Sequence, residues 1–314
     1  MKPRVLTLTG PTASGKSGLA EELARRFPLE IISVDSAVVY QGMDIGTAKP
    51  SALIRKGIPH HLVDIRDPKD TYSAADFRHD AIRIVREVLA RGRLPILVGG
   101  TMLYFRALKH GIAELPAADA EIREQISKIG QHEGWDEVHR QLAQVDPFAA
   151  ARINPNDTQR LQRALEVFEI TGRTLTELHE IGHEQCPFDL VELAVAPPRA
   201  QLHQRIDDRL YMMMSEGFVD EVRSLFERED LNAELPSMKA VGYRQIWSFL
   251  AGELTEVQMR EKIGVATRRL AKHQYTWLNS WDDLHVLDST DINQVLKIAD
   301  VSTILSKGSE PASS

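Results

Sequence analysis

A glycine-rich motif near the start of the chain limits the possible folds more than any other feature. It consists of Gly10, Pro11, Thr12, Ala13, Ser14, Gly15, Lys16 and Ser17. The motif fits G-x-x-x-x-G-K-[ST] at every position, and it lies between an apolar strand-like run and a helical pattern. Glycines let backbone N–H groups converge on phosphate oxygens, and the helix N-terminus adds a favourable dipole. The motif therefore predicts a phosphate loop, with Lys16 on the terminal phosphate and Ser17 as a Mg²⁺ ligand.

Short apolar runs alternate with helical patterns over the first hundred residues. The runs that predict strands cover residues 4–9, 30–35, 61–65 and 94–98, and helical spacing covers 17–27 and 74–90. Such alternation is typical of βαβ units. We therefore expect an α/β fold with a P-loop NTPase-like core, in which helices flank a mostly parallel sheet. Ligands of such sheets bind at the carboxyl ends of the strands.

The pattern changes near Leu115. Residues 117–180 show one helical pattern after another, with turn signals between them, and strand character returns at 190–195. This predicts an all-helical insertion domain over 115–189 in an α/β core formed by 1–114 and 190–314. The alternative is that these helices are only crossover connections. The rest of the chain is mostly helical, with a last strand candidate at 284–287.

Composition excludes several classes of protein. The chain has 43% hydrophobic and 26% charged residues, and no apolar run approaches the roughly 18 residues of a membrane span. We expect no membrane partner, and the single Cys186 fits a reducing cytoplasm. A net charge of −7 argues against indiscriminate coating of nucleic acid. Residues 260–273 nevertheless carry five Lys or Arg against one acid, so a polyanion has a basic segment to bind.

Two predicted strands end in polar residues. Asp35 and Ser36 stand at the end of the second strand, and Gly99-Gly100-Thr101 follows the fourth. The Asp35 carboxylate suits a general base or a Mg²⁺ ligand, and Thr101 offers a hydroxyl at the same edge. Either residue could instead cap a turn or a helix. The fourth strand end lacks the acid found in many P-loop NTPases, which disfavours ATP hydrolysis.

Two further motifs are ambiguous. Arg160 and Arg163 fall on one helix face, which suits either a sugar-phosphate backbone or a solvated face paired with acids such as Glu166. Residues 179–183 match H-E-x-x-H, the zinc-protease pattern. Because Gly182 lies inside the required turn and a proline follows soon after, we predict no metal site there.

Collinear segments along almost the whole chain resemble the tRNA dimethylallyltransferases. They are GPTASGKS from Gly10, ISVDSAVVYQGMDIGTAKP from Ile32, LVDIRDP from Leu62, YSAADFR from Tyr72, LVGGTMLYF from Leu97, AARINPNDTQRLQRALEVFEITG from Ala150, GFVDEVRSL from Gly217 and MKAVGYRQIW from Met238. Matches of this length are far more specific than the phosphate loop alone.

The resemblance implies a reaction and a set of partners. Dimethylallyl diphosphate would be the donor, with Mg²⁺, and the tRNA anticodon stem-loop would present the adenosine 3′ of the anticodon. Asp35 would take a proton from the exocyclic amine of that adenosine, Thr101 would orient the amine, and Arg223 would be a second clamp on the diphosphate. The family flips the target base out of the loop, and the helical insertion would grip the stem-loop. We expect an active monomer.

The resemblance also implies positions that contact tRNA. They are Asp35, Ser36, Ala37, Val38, Thr101, Arg123, Gln159, Arg160, Leu161, Gln162, Arg163, Lys239, Gly242, Tyr243 and Arg244. One departure stands at His273, where the family often has arginine. A mostly neutral imidazole would weaken a phosphate contact at that position.

Two alternatives remain open at this level. A P-loop nucleotide or small-molecule kinase would share the fold and the loop, but the candidate lid is a long helical segment. A non-catalytic RNA-binding module would not need the intact Lys16, Ser17 and Asp35. Turnover of ATP would support the first, and RNA binding without turnover would support the second.

Overall fold

The computed structural model describes residues 2–113, 115–180 and 184–307. Six parallel strands form one sheet in the order β3-β2-β4-β1-β5-β6. They are β1 (Arg4–Thr9), β2 (Leu29–Val34), β3 (His60–His61), β4 (Leu94–Gly99), β5 (Asp189–Val195) and β6 (His285–Leu287). The predicted α/β fold with a mostly parallel sheet flanked by helices is confirmed.

Fifteen helices are described along these three ranges. They are α1 (Lys16–Arg26), α2 (Ala52–Gly57), α3 (Ala74–Ala90), α4 (Met102–His110), α5 (Ala120–His132), α6 (Trp135–Val145), α7 (Pro147–Arg152), α8 (Thr158–Thr171), α9 (Leu175–Glu180), α10 (Arg199–Ser215), α11 (Phe218–Phe226), α12 (Tyr243–Leu250), α13 (Glu256–Asn279), α14 (Ile292–Leu296) and α15 (Ala299–Lys307). None of the described helices is long and apolar enough to cross a membrane.

The chain divides into two compact units. The first runs to Lys109 and resumes at Cys186, and the second is His110–Gln185. The second unit therefore begins at 110, where we predicted 115, and it ends at 185, where we predicted 189. Residues 186–189 belong to the sheet unit, because Asp189 is already the first residue of β5.

The register of the strands aligns their carboxyl ends in the first unit. Thr9 pairs with Gly99 of β4 and with Ala194 of β5, and Val34 at the end of β2 also pairs with Gly99. The strands are apolar and buried along most of their length, as expected where helices cover both faces of a parallel sheet. The segments that follow β1, β2 and β4 consequently leave the sheet at one edge.

The third strand is much shorter than predicted. Only His60 and His61 pair with β2, whereas the apolar pattern predicted a strand over 61–65. Leu62 and Asp64 adopt positive φ angles of 59° and 58°, which end the extended conformation. The Asp64 carboxylate is held by Lys49 at 2.5 Å and Arg55 at 2.7 Å. Ion pairs with distant residues thus override the local strand pattern.

The second unit has its own apolar core. It contains Ile126, Val138, Leu142, Ala149, Ala150, Ile153, Leu161, Ala164 and Leu165. Beside this core, Glu166 of α8 is completely buried and accepts hydrogen bonds from the Asp119 backbone N–H and from Arg123 and Arg163. These three donors make the burial of a carboxylate tolerable. Glu166 thereby joins α8 to the start of α5 and to the segment before it.

The zinc-protease pattern cannot be followed through the structure, because Ile181, Gly182 and His183 lie outside the described residues. Within the described ranges, no three His, Cys, Asp or Glu side chains are grouped closely enough to hold a metal ion.

A buried carboxylate joins β2 to its surroundings at the other end of the sheet. Glu30 is 4% exposed and accepts hydrogen bonds from His61 at 2.7 Å and Arg91 at 2.7 Å. Arg93 adds an ion pair at 3.0 Å. Burial works against the charged form, but the hydrogen bonds from Arg91 and His61 outweigh it, so the pKa of Glu30 lies below its usual value. The carboxylate is therefore ionised at neutral pH. It accepts a hydrogen bond from His61 of β3 and pairs with the arginines of the turn before β4.

We predict that Glu30→Gln lowers the free energy of unfolding by about 2 kcal/mol at pH 7. A depressed pKa in the folded state stabilises the protein above the unfolded pKa of about 4.3 and loses this effect as the pH falls through the folded value. The difference between parent and variant should therefore shrink below about pH 4.3. Urea unfolding of both proteins from pH 7 to pH 3.5 measures it. A difference that stays constant with pH would contradict the assignment.

Candidate active site

Three segments meet at the carboxyl edge of the sheet. The phosphate loop follows β1, Asp35 and Ser36 follow β2, and Gly100 and Thr101 follow β4. Thr101 joins the second and third segments, because its N–H donates to Val34 O at 3.2 Å and its Oγ1 accepts from Ser36 N at 3.1 Å. The structure thus brings the predicted Asp35 and Thr101 to the edge on which the phosphate loop opens.

Backbone geometry shapes the phosphate loop. Gly15 at the start of α1 has a φ of 93°, and Ala13 also lies in the left-handed region at 62°. At Gly10 an added Cβ would lie 2.5 Å from Val195 O, so only glycine fits against the end of β5. No side chain at the N-cap accepts from the first amides of α1. The start of the helix therefore offers N–H groups to an anion.

Lys16 is the half-buried cation of the loop. Its Nζ donates to Pro11 O at 3.2 Å. The pKa of Lys16 is lowered to about 8, chiefly by burial; the negative charge of Asp35 opposes this and the positive charge of Arg209 adds to it. A bound anion would favour the protonated form.

Ser14 carries a buried polar atom that lacks a partner. The residue has no exposed surface, and its Oγ finds no hydrogen-bond partner in the described part of the chain. Its carbonyl oxygen accepts from Arg205 Nη1 at 3.1 Å, which fixes the loop to α10. An unpaired buried hydroxyl is costly, and a phosphate oxygen is one acceptor that would satisfy it. Ser17, the predicted Mg²⁺ ligand, is exposed in the first turn of α1.

Asp35 organises its own turn. Its Oδ1 accepts from Ala37 N at 2.8 Å and from Val38 N at 3.3 Å. The capping role that the sequence left open is therefore present, and these bonds leave Oδ2 for another partner. Ser36 is exposed and Ala37 is partly exposed, whereas Val38 is buried. Among the side chains of this stretch, Asp35 and Ser36 are the ones best placed to meet a ligand.

Arg209 is a site residue that sequence reasoning missed. It lies on α10, half-buried, and donates to Thr47 O at 3.4 Å. Burial lowers the pKa of Arg209, and the negative charge of Asp35 opposes this. The positive charge of Arg209 in turn lowers the pKa of Lys16. A sequence signal existed, because residue 209 shares a helix face with the buried Ile206 and Met213.

Arg223, predicted as a diphosphate clamp, has different surroundings. It lies on α11, is exposed, and its Nε is 3.8 Å from Asp220 Oδ1. The contacts described for the phosphate loop involve Arg205 and Lys16 but not Arg223. The role of Arg223 stays a prediction, and Arg209 becomes the stronger candidate.

Glu221, two residues before Arg223 on α11, binds a neighbouring loop. Its carboxylate accepts from the backbone N–H groups of Asp44 at 2.9 Å, Ile45 at 2.6 Å and Gly46 at 3.1 Å. The Tyr243 hydroxyl adds a fourth bond at 2.5 Å. Thr47, the acceptor of Arg209, directly follows this anchored stretch. Glu221 therefore holds the loop against which the Arg209 guanidinium rests.

Burial corrects two of the predicted RNA contacts. The side chains of Tyr243 and Leu161 have no exposed surface, so neither can meet RNA in this structure. Tyr243 packs edge-on against Phe218 and donates to Glu221, and Leu161 belongs to the core of the second unit. Gly242 begins α12 with a φ of 93° and is buried, and an added Cβ would lie 2.7 Å from Phe218. Lys239 and Arg244 are exposed.

The predicted RNA contacts of the second unit fall into two groups. Arg123 and Arg163 both bind Glu166, at 2.8 Å and 2.6 Å, so each already has an ion-pair partner. Gln162 donates to Arg123 O and to Ser127 Oγ. Gln159 and Arg160 are exposed at the start of α8, where Asp157 lies 3.4 Å from Arg160. This second pair is exposed, whereas Arg123, Gln162 and Arg163 are only partly exposed.

Comparison with known proteins identifies the family. The family model described as IPP transferase matches residues 38–281. The full-length tRNA isopentenylpyrophosphate transferase of Bacillus halodurans is 35% identical, with 98% of each chain covered and a TM-score of 0.70. The tRNA delta(2)-isopentenylpyrophosphate transferase of Staphylococcus epidermidis is 32% identical, with 98% of this chain and 99% of that chain covered and a TM-score of 0.68.

A third solved structure extends the similarity to eukaryotes. It is a eukaryotic dimethylallyltransferase acting on tRNA, 28% identical, with 96% of this chain and 78% of that chain covered and a TM-score of 0.78. The matched segments include those on which the resemblance rests, from Val38 onward. The chain therefore belongs to the IPP transferase family, the tRNA dimethylallyltransferases that its motifs indicated.

Proposed function

We propose that the protein transfers a dimethylallyl group from dimethylallyl diphosphate to the exocyclic amine of the adenosine 3′ of the anticodon in tRNAs. The observation that carries this proposal is the meeting of a phosphate loop, a carboxylate and a hydroxyl at one sheet edge. Its relatives are a tRNA isopentenylpyrophosphate transferase and a dimethylallyltransferase acting on tRNA.

The donor side has to stabilise a leaving diphosphate. An allylic C–O bond breaks readily once the developing negative charge is neutralised. Lys16 and Arg209 are half-buried cations beside the loop, and the start of α1 adds backbone N–H groups. These groups do not need to reorganise during the reaction, so their full electrostatic effect is available in the transition state.

Mg²⁺ fits this site as a partner of the diphosphate. The described residues contain no cage of acidic side chains, and Mg²⁺ usually binds through one or two protein oxygens together with substrate phosphates. Ser17 supplies one such oxygen, at the position a phosphate loop uses for it. When bound, the ion would neutralise charge on the diphosphate.

The acceptor side has to improve a weak nucleophile. The lone pair of an adenine amine is delocalised into the ring, and a positioned base typically contributes about 10²–10⁴-fold. As the amine nitrogen bonds to C1 of the donor, the C1–oxygen bond breaks and a proton passes from the nitrogen to Asp35. The products are the N6-dimethylallyl adenosine and diphosphate. Thr101, fixed by Ser36 N and Val34 O, would orient the amine.

RNA binding requires that the target base leave its stack. That costs a few kcal/mol and least in a single-stranded loop, which favours an anticodon stem-loop over a duplex. Exposed polar side chains suited to the backbone are Ser36, Gln159, Arg160, Lys239 and Arg244. Arg123, Gln162 and Arg163 would first have to exchange their present partners.

We further propose that the protein acts as a cytoplasmic monomer. Lys16, Asp35, Thr101 and Arg209 all come from one chain, so the site does not need a second copy. The single cysteine, Cys186, is a buried thiol, and burial raises its pKa, which suits a reducing compartment.

The first test measures transfer of label from radiolabelled dimethylallyl diphosphate to unmodified tRNA with Mg²⁺. Asp35→Asn keeps an oxygen for the Ala37 and Val38 amides but removes the base, so transfer should fall by about 10²–10⁴-fold. The structurally matched control is Asp119→Asn, which likewise retains the N-cap oxygen at the start of α5. An Asp35→Asn variant as active as the parent would remove Asp35 as the base. A parent that consumes ATP with a small acceptor and labels no tRNA would overturn the proposed function.

The second test concerns the charge of Lys16. Because the pKa of Lys16 is about 8, the parent should lose affinity for inorganic pyrophosphate and Mg²⁺ as the pH rises above 8. At pH 9 about one such lysine in ten is protonated, which predicts an affinity loss of up to about tenfold. Lys16→Arg stays charged and serves as the control, since the ligand's own ionisation is common to both proteins. Parallel pH profiles, measured by calorimetry, would show that Lys16 does not titrate there.

The third test decides between two arginines. Arg209→Gln should weaken pyrophosphate binding by about 10–100-fold, because it removes a charge-assisted bond from a partly buried site. Arg223→Gln should change the same dissociation constant by less than about twofold, since an exposed guanidinium near Asp220 contributes little. The reverse ranking would restore Arg223 as the clamp and leave Arg209 as a structural cation.

A further inference from the structure

A buried side chain of α13 lies between two loops of the site. The Oε1 atom of Gln274 accepts from Thr12 N in the phosphate loop at 2.8 Å. Its Nε2 atom donates to Gly100 O, directly before Thr101, at 2.8 Å. One planar amide thus bridges the loop after β1 and the loop after β4. Gln274 therefore links the Thr12 N–H to the Gly100 carbonyl, two groups that do not bond each other directly.

The bridge is closely packed. Gln274 is only 7% exposed. A Cβ added at Gly100 would lie 2.6 Å from Gln274 Nε2, 3.3 Å from Gly10 O and 3.6 Å from Lys16 Nζ. Gly100 is therefore glycine because the amide and the phosphate loop come so close to its backbone. The Gln274 amide and the Lys16 ammonium thus both lie next to the Gly100 backbone.

The helix that carries Gln274 is itself firmly placed. Ala271 packs with Leu202 and Ile206 of α10, and Ala13 of the phosphate loop packs against this cluster. The hydroxyl of the next residue, Tyr275, donates to Pro197 O after β5. Arg268 of α13 pairs with Asp207 of α10 at 2.6 Å. Because α13 is fixed to the sheet edge and to α10, the Gln274 amide has a defined position.

We propose that Gln274 is a positioning residue that sets the register between the phosphate loop and the loop that carries Thr101. This inference rests on the proposed function, in which the first loop holds the donor and the second orients the acceptor amine. Gln274 touches the backbone of each loop through one end of a rigid amide. Its removal therefore lets each loop bind its own ligand but no longer fixes the distance between them.

Prenyl transfer is sensitive to that distance. Carbon C1 of the donor and the amine nitrogen must approach to near-attack separation, and a misplacement of about 1 Å can cost on the order of 10²-fold in rate. Binding of either ligand alone has no such requirement. A loss of register should therefore lower the rate of transfer but leave the affinities for pyrophosphate and for tRNA almost unchanged.

The experiment compares the parent with Gln274→Met, which keeps the length of the side chain and removes both hydrogen bonds. Single-turnover transfer is measured at saturating dimethylallyl diphosphate and unmodified tRNA, and pyrophosphate and tRNA dissociation constants are measured separately. Transfer should fall by about 10–100-fold, while each dissociation constant changes by less than about threefold. The matched control is Gln258→Met on the same helix, where a glutamine caps Thr255 far from both loops, and its transfer rate should equal that of the parent.

A second variant keeps the test decisive if Gln274→Met does not fold. Gly100→Ala displaces the amide from the other side, and it should give the same separation of rate from affinity. When both variants fold, the double variant should be no slower than the worse single one, since both break one bridge. Parent-like transfer in Gln274→Met and Gly100→Ala would overturn the inference. Pyrophosphate affinity that falls as much as transfer would also overturn it, by placing Gln274 within the diphosphate site. A parent without any transfer would instead refute the proposed function.

Discussion

The site depends on the backbone pairing of β1, β2 and β4. Val34 and Thr9 both pair with Gly99, so the three strands end level and release their loops at one edge. Gly99 makes this pairing possible, because a Cβ there would lie 1.9 Å from Val34 O. Since the register fixes where each loop starts, the carboxylate of Asp35 and the hydroxyl of Thr101 reach the phosphate loop without any long connection. A shift of one residue in this ladder would separate the groups that the chemistry has to bring together.

The charged side chains at this edge of the sheet carry an excess of positive charge, which suits binding of an anionic ligand. Lys16 and Arg209 are half-buried, and each is close enough to Asp35 to be stabilised by it. One carboxylate cannot neutralise two cations, and partial burial makes the excess positive charge unfavourable. A diphosphate would relieve this repulsion on binding. The same excess of positive charge that is unfavourable for the protein alone then stabilises the leaving group, because the cations are already in place when its charge develops.

Local patterns were enough to predict most of the sheet and the loops at its edge, because glycines, apolar runs and strand ends are encoded by neighbouring residues. The predicted length of the third strand was wrong because Lys49 and Arg55 bind Asp64, and such ion pairs join residues that are not neighbours in the sequence. Side-chain direction explains the other differences. Spacing placed Arg163 on a plausible RNA face, yet its guanidinium binds the buried Glu166. The role of Arg209 likewise depends on which face of α10 turns inward. In the sequence the only sign of this was that Arg209 shares a helix face with apolar residues.

Polar residues of the C-terminal helices bind the backbone of the loops that form the site. Arg205 binds Ser14 O, Glu221 binds the amides of 44–46, and Gln274 binds Thr12 and Gly100. Most of these bonds end on backbone atoms, so they fix the path of a loop whatever side chains it carries. The residues that meet substrates and the residues that position them therefore lie in different parts of the sequence. Substitutions on the inner faces of α10, α11 and α13 should alter the reaction without touching either substrate, because loop geometry is the quantity they control.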